Sequence, residues 1–137
     1  MDLGIRDRVA LVTGASSGLG RACTMALAAE GARVAVAARR ENELEAAAAE
    51  ARESGSPEAR AYRMDLADEK SIDAALERVR ADFGAIDILI GNSGGPKPGT
   101  FAQTSPADWD AAYKHVLRCM LQLVQNVLPG MRARGWG

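Results

Sequence analysis

The sequence predicts an α/β protein built on a doubly wound parallel sheet. Three observations carry that expectation. Short apolar runs alternate with stretches of helical periodicity, strand then helix, without interruption from Arg8 to Ile90. The first apolar run ends on glycines that open directly into a helix. The chain of 137 residues fits one domain, and no internal repeat or low-complexity linker divides it.

The elements follow in order. Arg8 to Thr13 is rich in branched apolar residues and stops at Gly14, which suits a strand buried on both faces. The helix after the glycines repeats Leu19, Ala22, Cys23, Ala26 and Leu27 at helical spacing and closes at Gly31. Ala32 to Ala38 is a second strand, and Glu41 to Glu53 a helix with the narrow apolar face Leu44, Ala47, Ala48 and Ala51. After the turn Ser54-Gly55-Ser56-Pro57, Ala59 to Met64 reads as a less apolar strand at a sheet edge. Asp68 caps a helix with the stripe Ile72, Ala75, Leu76 and Val79, and Ile86 to Ile90 is the fourth strand.

Gly91 to Thr104 is a loop, and Ser105-Pro106-Ala107-Asp108 supplies an N-cap, an N1 proline and the acidic partner of a capping box. The last helix is expected from Pro106 to about Arg134, kinked at Pro129. Its apolar arc, from Trp109, Ala112, Tyr113, Val116 and Leu117 through Met120, Leu121, Val124, Val127 and Leu128, is wider than one sheet contact requires. A second copy of the chain packed on this helix, giving a homo-oligomer, is the simplest account of the excess.

Bulk properties exclude several classes. With 26% charged residues and a net charge of −1, nothing draws the chain to nucleic acid or to an anionic membrane. Cys23 and Cys119 stand alone, outside any metal-ligand spacing, and read as buried free thiols. Neither a signal-type apolar segment nor a run of the ~18 apolar residues that a membrane span needs is present, so the expected setting is the cytoplasm.

Alternating βα units give a parallel sheet with right-handed crossovers, expected as a Rossmann-type sheet with the order 3-2-1-4 and incomplete in that its later strands are missing. The reversal of strand order then lies between the first and fourth strands, so the loops after Thr13 and after Ile90 face one crevice. Within Thr13-Gly14-Ala15-Ser16-Ser17-Gly18-Leu19-Gly20, the glycines let a helix N-terminus present its unpaired N–H groups to a pyrophosphate. Arg21 follows Gly20 where a P-loop needs lysine, which excludes triphosphate chemistry of that type.

About 20 residues beyond the glycines, dinucleotide sites for NAD carry an acidic residue that binds the ribose 2′-OH. This chain has Arg39 and Arg40 there. Guanidinium groups pair with a 2′-phosphate, so NADP(H) is favoured over NAD, with Ser16 or Ser17 adding a hydroxyl; the bland alternative is two solvated arginines at a helix end. Asp65 is either a turn residue or an acceptor for the adenine amino group. Asn92 is delivered to the crevice by the fourth strand.

Taken in order, the glycine motif, Arg39, Asp65-Leu66 and Asp87-Ile88-Leu89-Ile90-Gly91-Asn92-Ser93-Gly94 resemble the short-chain dehydrogenase/reductase family over essentially the whole chain. Gly91 and Ser93 depart mildly from the asparagine and alanine usual in that motif. The resemblance implies an NADP(H)-dependent oxidoreductase acting on a small carbonyl or alcohol substrate by hydride transfer. It assigns the pyrophosphate to the Gly14 loop, the adenine to Asp65 and Leu66, and the adenosine ribose and nicotinamide floor to Asn92, Ser93 and Gly94.

The family's catalytic residues are a serine, a tyrosine and a lysine four residues after the tyrosine. Leu66 follows Tyr62 and Leu117 follows Tyr113 at that spacing, so no catalytic residue is assigned. The helix asparagine of the family's proton relay is replaced by Val116, and the adjacent His115 reads as a surface residue. The chain is thus expected to be the cofactor-binding half of a reductase, without turnover by itself and with weak cofactor binding at best. The alternative is a non-catalytic NADP-binding or interaction module.

Overall fold

The computed structural model describes residues 1–137. Strands β1 (Val9–Thr13), β2 (Arg33–Ala38), β3 (Ala59–Arg63) and β4 (Ile88–Ile90) form one parallel sheet in the order β3-β2-β1-β4. Helices α1 (Gly18–Ala29), α2 (Glu41–Glu53) and α3 (Glu69–Phe83) make the crossovers. After β4 come a short 3-10 turn at Phe101–Gln103, α4 (Pro106–Ala112), a π-helical stretch at Tyr113–Arg118 and α5 (Cys119–Arg134). No helix is long and apolar enough to cross a membrane.

Alternation along the central strands divides the core. Val12, Val34 and Val36 pack with Leu44, Ala48 and Ala51 of α2 and with Ala28 of α1. On the opposite face Leu11, Ala35, Ala37 and Tyr62 meet Ile72, Leu76 and Val79 of α3 and Cys119, Leu123 and Val127 of α5. Side chains on the α1/α2 face are mostly Ala and Val, which lets the helices lie close to the sheet. Strand β1 is buried along its whole length, and β3 forms one edge with Arg60 and Arg63 exposed.

Three expectations need correction. In α1 the buried positions are Gly20, Thr24 and Ala28, whereas Leu19, Ala22 and Ala26 face outward. The buried Thr24 hydroxyl is satisfied by the Gly20 carbonyl at 2.9 Å. Cys119 is buried as expected, but Cys23 is only half-buried. The last helix is not uniform α-helix: it runs through Pro129 without a break, and its departure from α geometry falls at Tyr113–Arg118. There the N–H of Cys119 donates to the carbonyl of Lys114, an i to i−5 bond, and the Cys119 thiol donates to the carbonyl of His115 at 3.0 Å. Burial pushes the Cys119 thiol up, which keeps it protonated for that bond.

The face of the last helix that meets the sheet is Cys119, Gln122, Leu123 and Val127. Of the arc read from the sequence, Val127 is fully covered, while Trp109, Tyr113, Val116, Leu117, Leu121, Val124 and Leu128 are exposed. At the far end of the sheet, Asp87 accepts from the Val9 N–H at 3.0 Å and pairs with Arg134 at 3.3 Å, while Arg134 also donates to the Ile86 carbonyl. This cluster ties the end of α5 to the start of β1 and β4.

Leu76 is fully buried between α3 and the sheet. Leu76→Ala is expected to lower the unfolding free energy by about 2–5 kcal/mol in chemical denaturation, with the higher figure if the site does not collapse.

Candidate cofactor site

The site begins at the end of β1. Thr13 is completely buried, and its hydroxyl donates to the Asn92 carbonyl at 2.8 Å and accepts from the Asn92 N–H at 2.9 Å. One hydroxyl therefore joins the ends of β1 and β4 across the point where strand order reverses. The Asn92 amide adds a longer bond to the Gly14 carbonyl at 3.4 Å.

Two glycines make this junction possible. Gly14 has a φ of +59°, and a Cβ there would lie 2.6 Å from the Asn92 side-chain nitrogen. A Cβ on Gly20 would lie 2.2 Å from the Gly14 carbonyl oxygen, inside any permitted contact. The first turn of α1 is thereby drawn against the loop, and no side chain caps its N-terminus at Ser17. Its free N–H groups and partial positive charge are left for an anion.

A cavity of about 370 Å³ opens beside this loop. Gly14, Ser16, Ser17 and Leu19 form one wall; Ala37, Ala38, Arg39 and Arg40 line it at the end of β2. Met64 and Leu66 contribute from the end of β3, and Asn92, Ser93 and Gly94 from the end of β4. Ten of the residues picked out from sequence thus meet around one space: Gly14, Ser16, Ser17, Leu19, Arg39, Arg40, Leu66, Asn92, Ser93 and Gly94.

The other four lie behind or beside it. Thr13 and Gly20 are buried supports of the loop, and Gly18 starts α1 with a φ of +57°. Asp65 does not line the cavity: its carboxylate accepts from the Ala67 N–H at 3.0 Å, while its own N–H donates to the Ser71 hydroxyl at 2.9 Å. Its geometry is that of a turn residue.

The two arginines also differ. Arg40 pairs with Glu43 at 2.7 Å and donates to the Ser16 hydroxyl at 3.3 Å. Arg39 makes no ion pair or side-chain hydrogen bond, which leaves an uncompensated cation at the cavity wall. No carboxylate lines the cavity.

The sequence missed His115, Met64, Ala37 and Ala38. The last three are marked only by their places at strand ends beside predicted site residues. His115, read from the sequence as a surface residue, lies in the π-helical stretch and lines the cavity. Val116 is 41% exposed and lies outside the wall, while the neighbouring imidazole forms part of it.

A doubly wound α/β protein with a cavity at its switch point is the class that the fold defines. The sequence profile described as short chain dehydrogenase matches residues 8–137. The chain belongs to the short-chain dehydrogenase/reductase family. It is 38% identical over 136 residues to nodulation protein G of Azospirillum brasilense, with 96% of this chain and 53% of that protein covered. It is 36% identical over 131 residues to acetoacetyl-CoA reductase of Rhizobium meliloti, covering 96% of this chain and 52% of the relative. L-sorbose reductase from Gluconobacter frateurii, solved with NADPH and L-sorbose, superposes with a TM-score of 0.92 at 35% identity, covering 98% of this chain and 51% of that one. Actinorhodin polyketide ketoreductase with NADPH gives a TM-score of 0.87 at 35% identity, over 96% of this chain and 51% of that one. The chain spans about half the length of the curated relatives it matches.

Gly20→Ala is expected to abolish nucleotide binding in a titration and to lower thermal stability, because the new methyl and the Gly14 carbonyl exclude each other. Gly95→Ala, where nothing lies within 4 Å of the added carbon, is expected to change neither.

Proposed function

We propose that these 137 residues are the NADP(H)-binding portion of a short-chain oxidoreductase that interconverts a carbonyl compound and an alcohol. The observation that carries the reading is the unpaired Arg39 guanidinium on a cavity walled by the Gly14 loop, beside the uncapped start of α1. Similarity to reductases solved with NADPH supports it.

Each group has a role set by its chemistry. The N-terminal N–H groups of α1 and the Gly14 loop hold the pyrophosphate. Arg39 pairs with the 2′-phosphate, and Arg40 with Ser16 forms the adjoining polar wall. Leu66 and Met64 give an apolar surface for the adenine, while Asn92, Ser93 and Gly94 close the side of the adenosine ribose and the nicotinamide. Asp65 retains one carboxylate oxygen that is not used by Ala67, and this oxygen is assigned to the adenine amino group. When bound, the cofactor supplies or accepts a hydride at the substrate carbon.

Neither tyrosine takes part. Tyr62 is buried with its hydroxyl on Asp82, and burial with that carboxylate raises its pKa well above the usual phenol value. Tyr113 is exposed and outside the cavity wall. Neither is therefore assigned the role of proton donor to the carbonyl oxygen. The exposed apolar stripe of α4 and α5 supports association of two copies through the last helix, and two unpaired thiols fit a reducing cytoplasm.

Arg39→Asp tests the reading. The affinity ratio for NADPH over NADH, measured by fluorescence titration, is expected to fall by roughly tenfold or more, since a carboxylate repels the 2′-phosphate and accepts from a 2′-OH. An unchanged ratio would contradict the role given to Arg39.

A further inference from the structure

We infer that His115 is a proton-linked contact for the nucleotide, so that cofactor affinity rises as the imidazole takes up a proton. The inference rests on the nucleotide reading of the cavity. His115 is the one histidine in the chain, and it lies in the cavity wall. Its Nε2 stands 3.4 Å from where a Cβ of Gly94 would be, which places the ring against the Gly94 segment.

The backbone that carries the ring departs from α geometry. The i to i−5 bond from Cys119 to Lys114 inserts one extra residue into the turn, and the Cys119 thiol ties the His115 carbonyl from the buried side.

The charged surroundings set the sign. Within the cavity the charged groups are Arg39 and Arg40, both cationic, and Arg40 is already paired with Glu43. The adjoining cleft between α3 and the last helix carries Asp68, Glu69, Lys70, Lys114 and Arg118; Asp68 caps α3, and Glu69 pairs with Arg118 at 3.3 Å. On the loop after β4, Lys97 pairs with Asp108 at 3.6 Å. No carboxylate on the cavity wall competes with a bound phosphate for an imidazolium. The protonated ring therefore adds attraction for a polyanionic nucleotide, and binding is accompanied by proton uptake. Affinity is highest at acid pH and falls as pH rises through the range in which histidine loses its charge.

The test is NADPH titration of the 137-residue chain by calorimetry at pH 5.8 and pH 8.0, carried to millimolar ligand, for the wild type, His115→Gln and His115→Arg. For the wild type, the dissociation constant is expected to be roughly three- to tenfold lower at pH 5.8 than at pH 8.0, after division by the same ratio for His115→Gln. That division removes the titration of the 2′-phosphate itself. His115→Arg, charged at both pH values, is expected to show the same residual dependence as His115→Gln while binding more tightly than it at pH 8.0.

A second measurement needs no variant: the ring-proton resonance of the single histidine should titrate at higher pH when NADPH is bound. Equal pH dependence in wild type and His115→Gln, or a histidine titration unmoved by NADPH, would overturn the inference and leave the nucleotide reading intact. Absence of NADPH binding by the wild type at both pH values would overturn both.

Discussion

Everything at the switch point depends on how closely two pieces of backbone approach each other. The Gly14 carbonyl occupies the place that a side chain on Gly20 would need, and the Asn92 amide occupies the place that one on Gly14 would need. With Thr13 joined to both the N–H and the C=O of Asn92, the loops following β1 and β4 become a single rigid edge. The uncapped start of α1, the arginines after β2 and the Asn92–Gly94 segment then surround one space rather than three separate ones. A steric fact about two glycines thus decides the electrostatic character of the cavity.

The molecule has opposite characters at its two ends. Polar and cationic groups collect at the carboxyl ends of the strands, whereas the Asp87–Arg134 cluster fixes the last helix at the other end, where its ionic groups satisfy one another. Between them the last helix buries Cys119, Leu123 and Val127 on the sheet and turns a second apolar face outward. Its π-helical stretch carries the one side chain of this helix, His115, that lines the cavity. Fold and cavity thus meet on a helix with one apolar face on the sheet and the other exposed.

Much of this was legible in the sequence, because it is written in local periodicity. The α2 face Leu44, Ala47, Ala48 and Ala51 and the α3 stripe through Ile72 and Val79 are buried as the spacing predicts, and Ser105 and Asp108 form the predicted capping box. Parallel pairing followed from the unbroken alternation of strand and helix, and the order is that of the Rossmann-type fold. The failures have tertiary causes. In α1 the need to seat Gly20 against Gly14 turns Thr24 and Ala28 inward and leaves Leu19, 78% exposed, at the cavity mouth. His115 lies in the cavity wall within the π-helical stretch, and the even α-helical spacing read from the sequence does not anticipate that stretch.

The central claim is that the space between the Gly14 and Asn92 loops holds the 2′-phosphorylated adenosine half of NADP(H). The most direct measurement is an amide chemical-shift titration of the 137-residue chain with 2′,5′-ADP. The account predicts that the largest shifts fall on Gly14 to Gly20, on Arg39 and Arg40, and on Leu66 and Asn92 to Gly94, with α2 beyond its first turn and the exposed face of α5 unmoved. Shifts confined to other surfaces, or none at millimolar ligand, would contradict it.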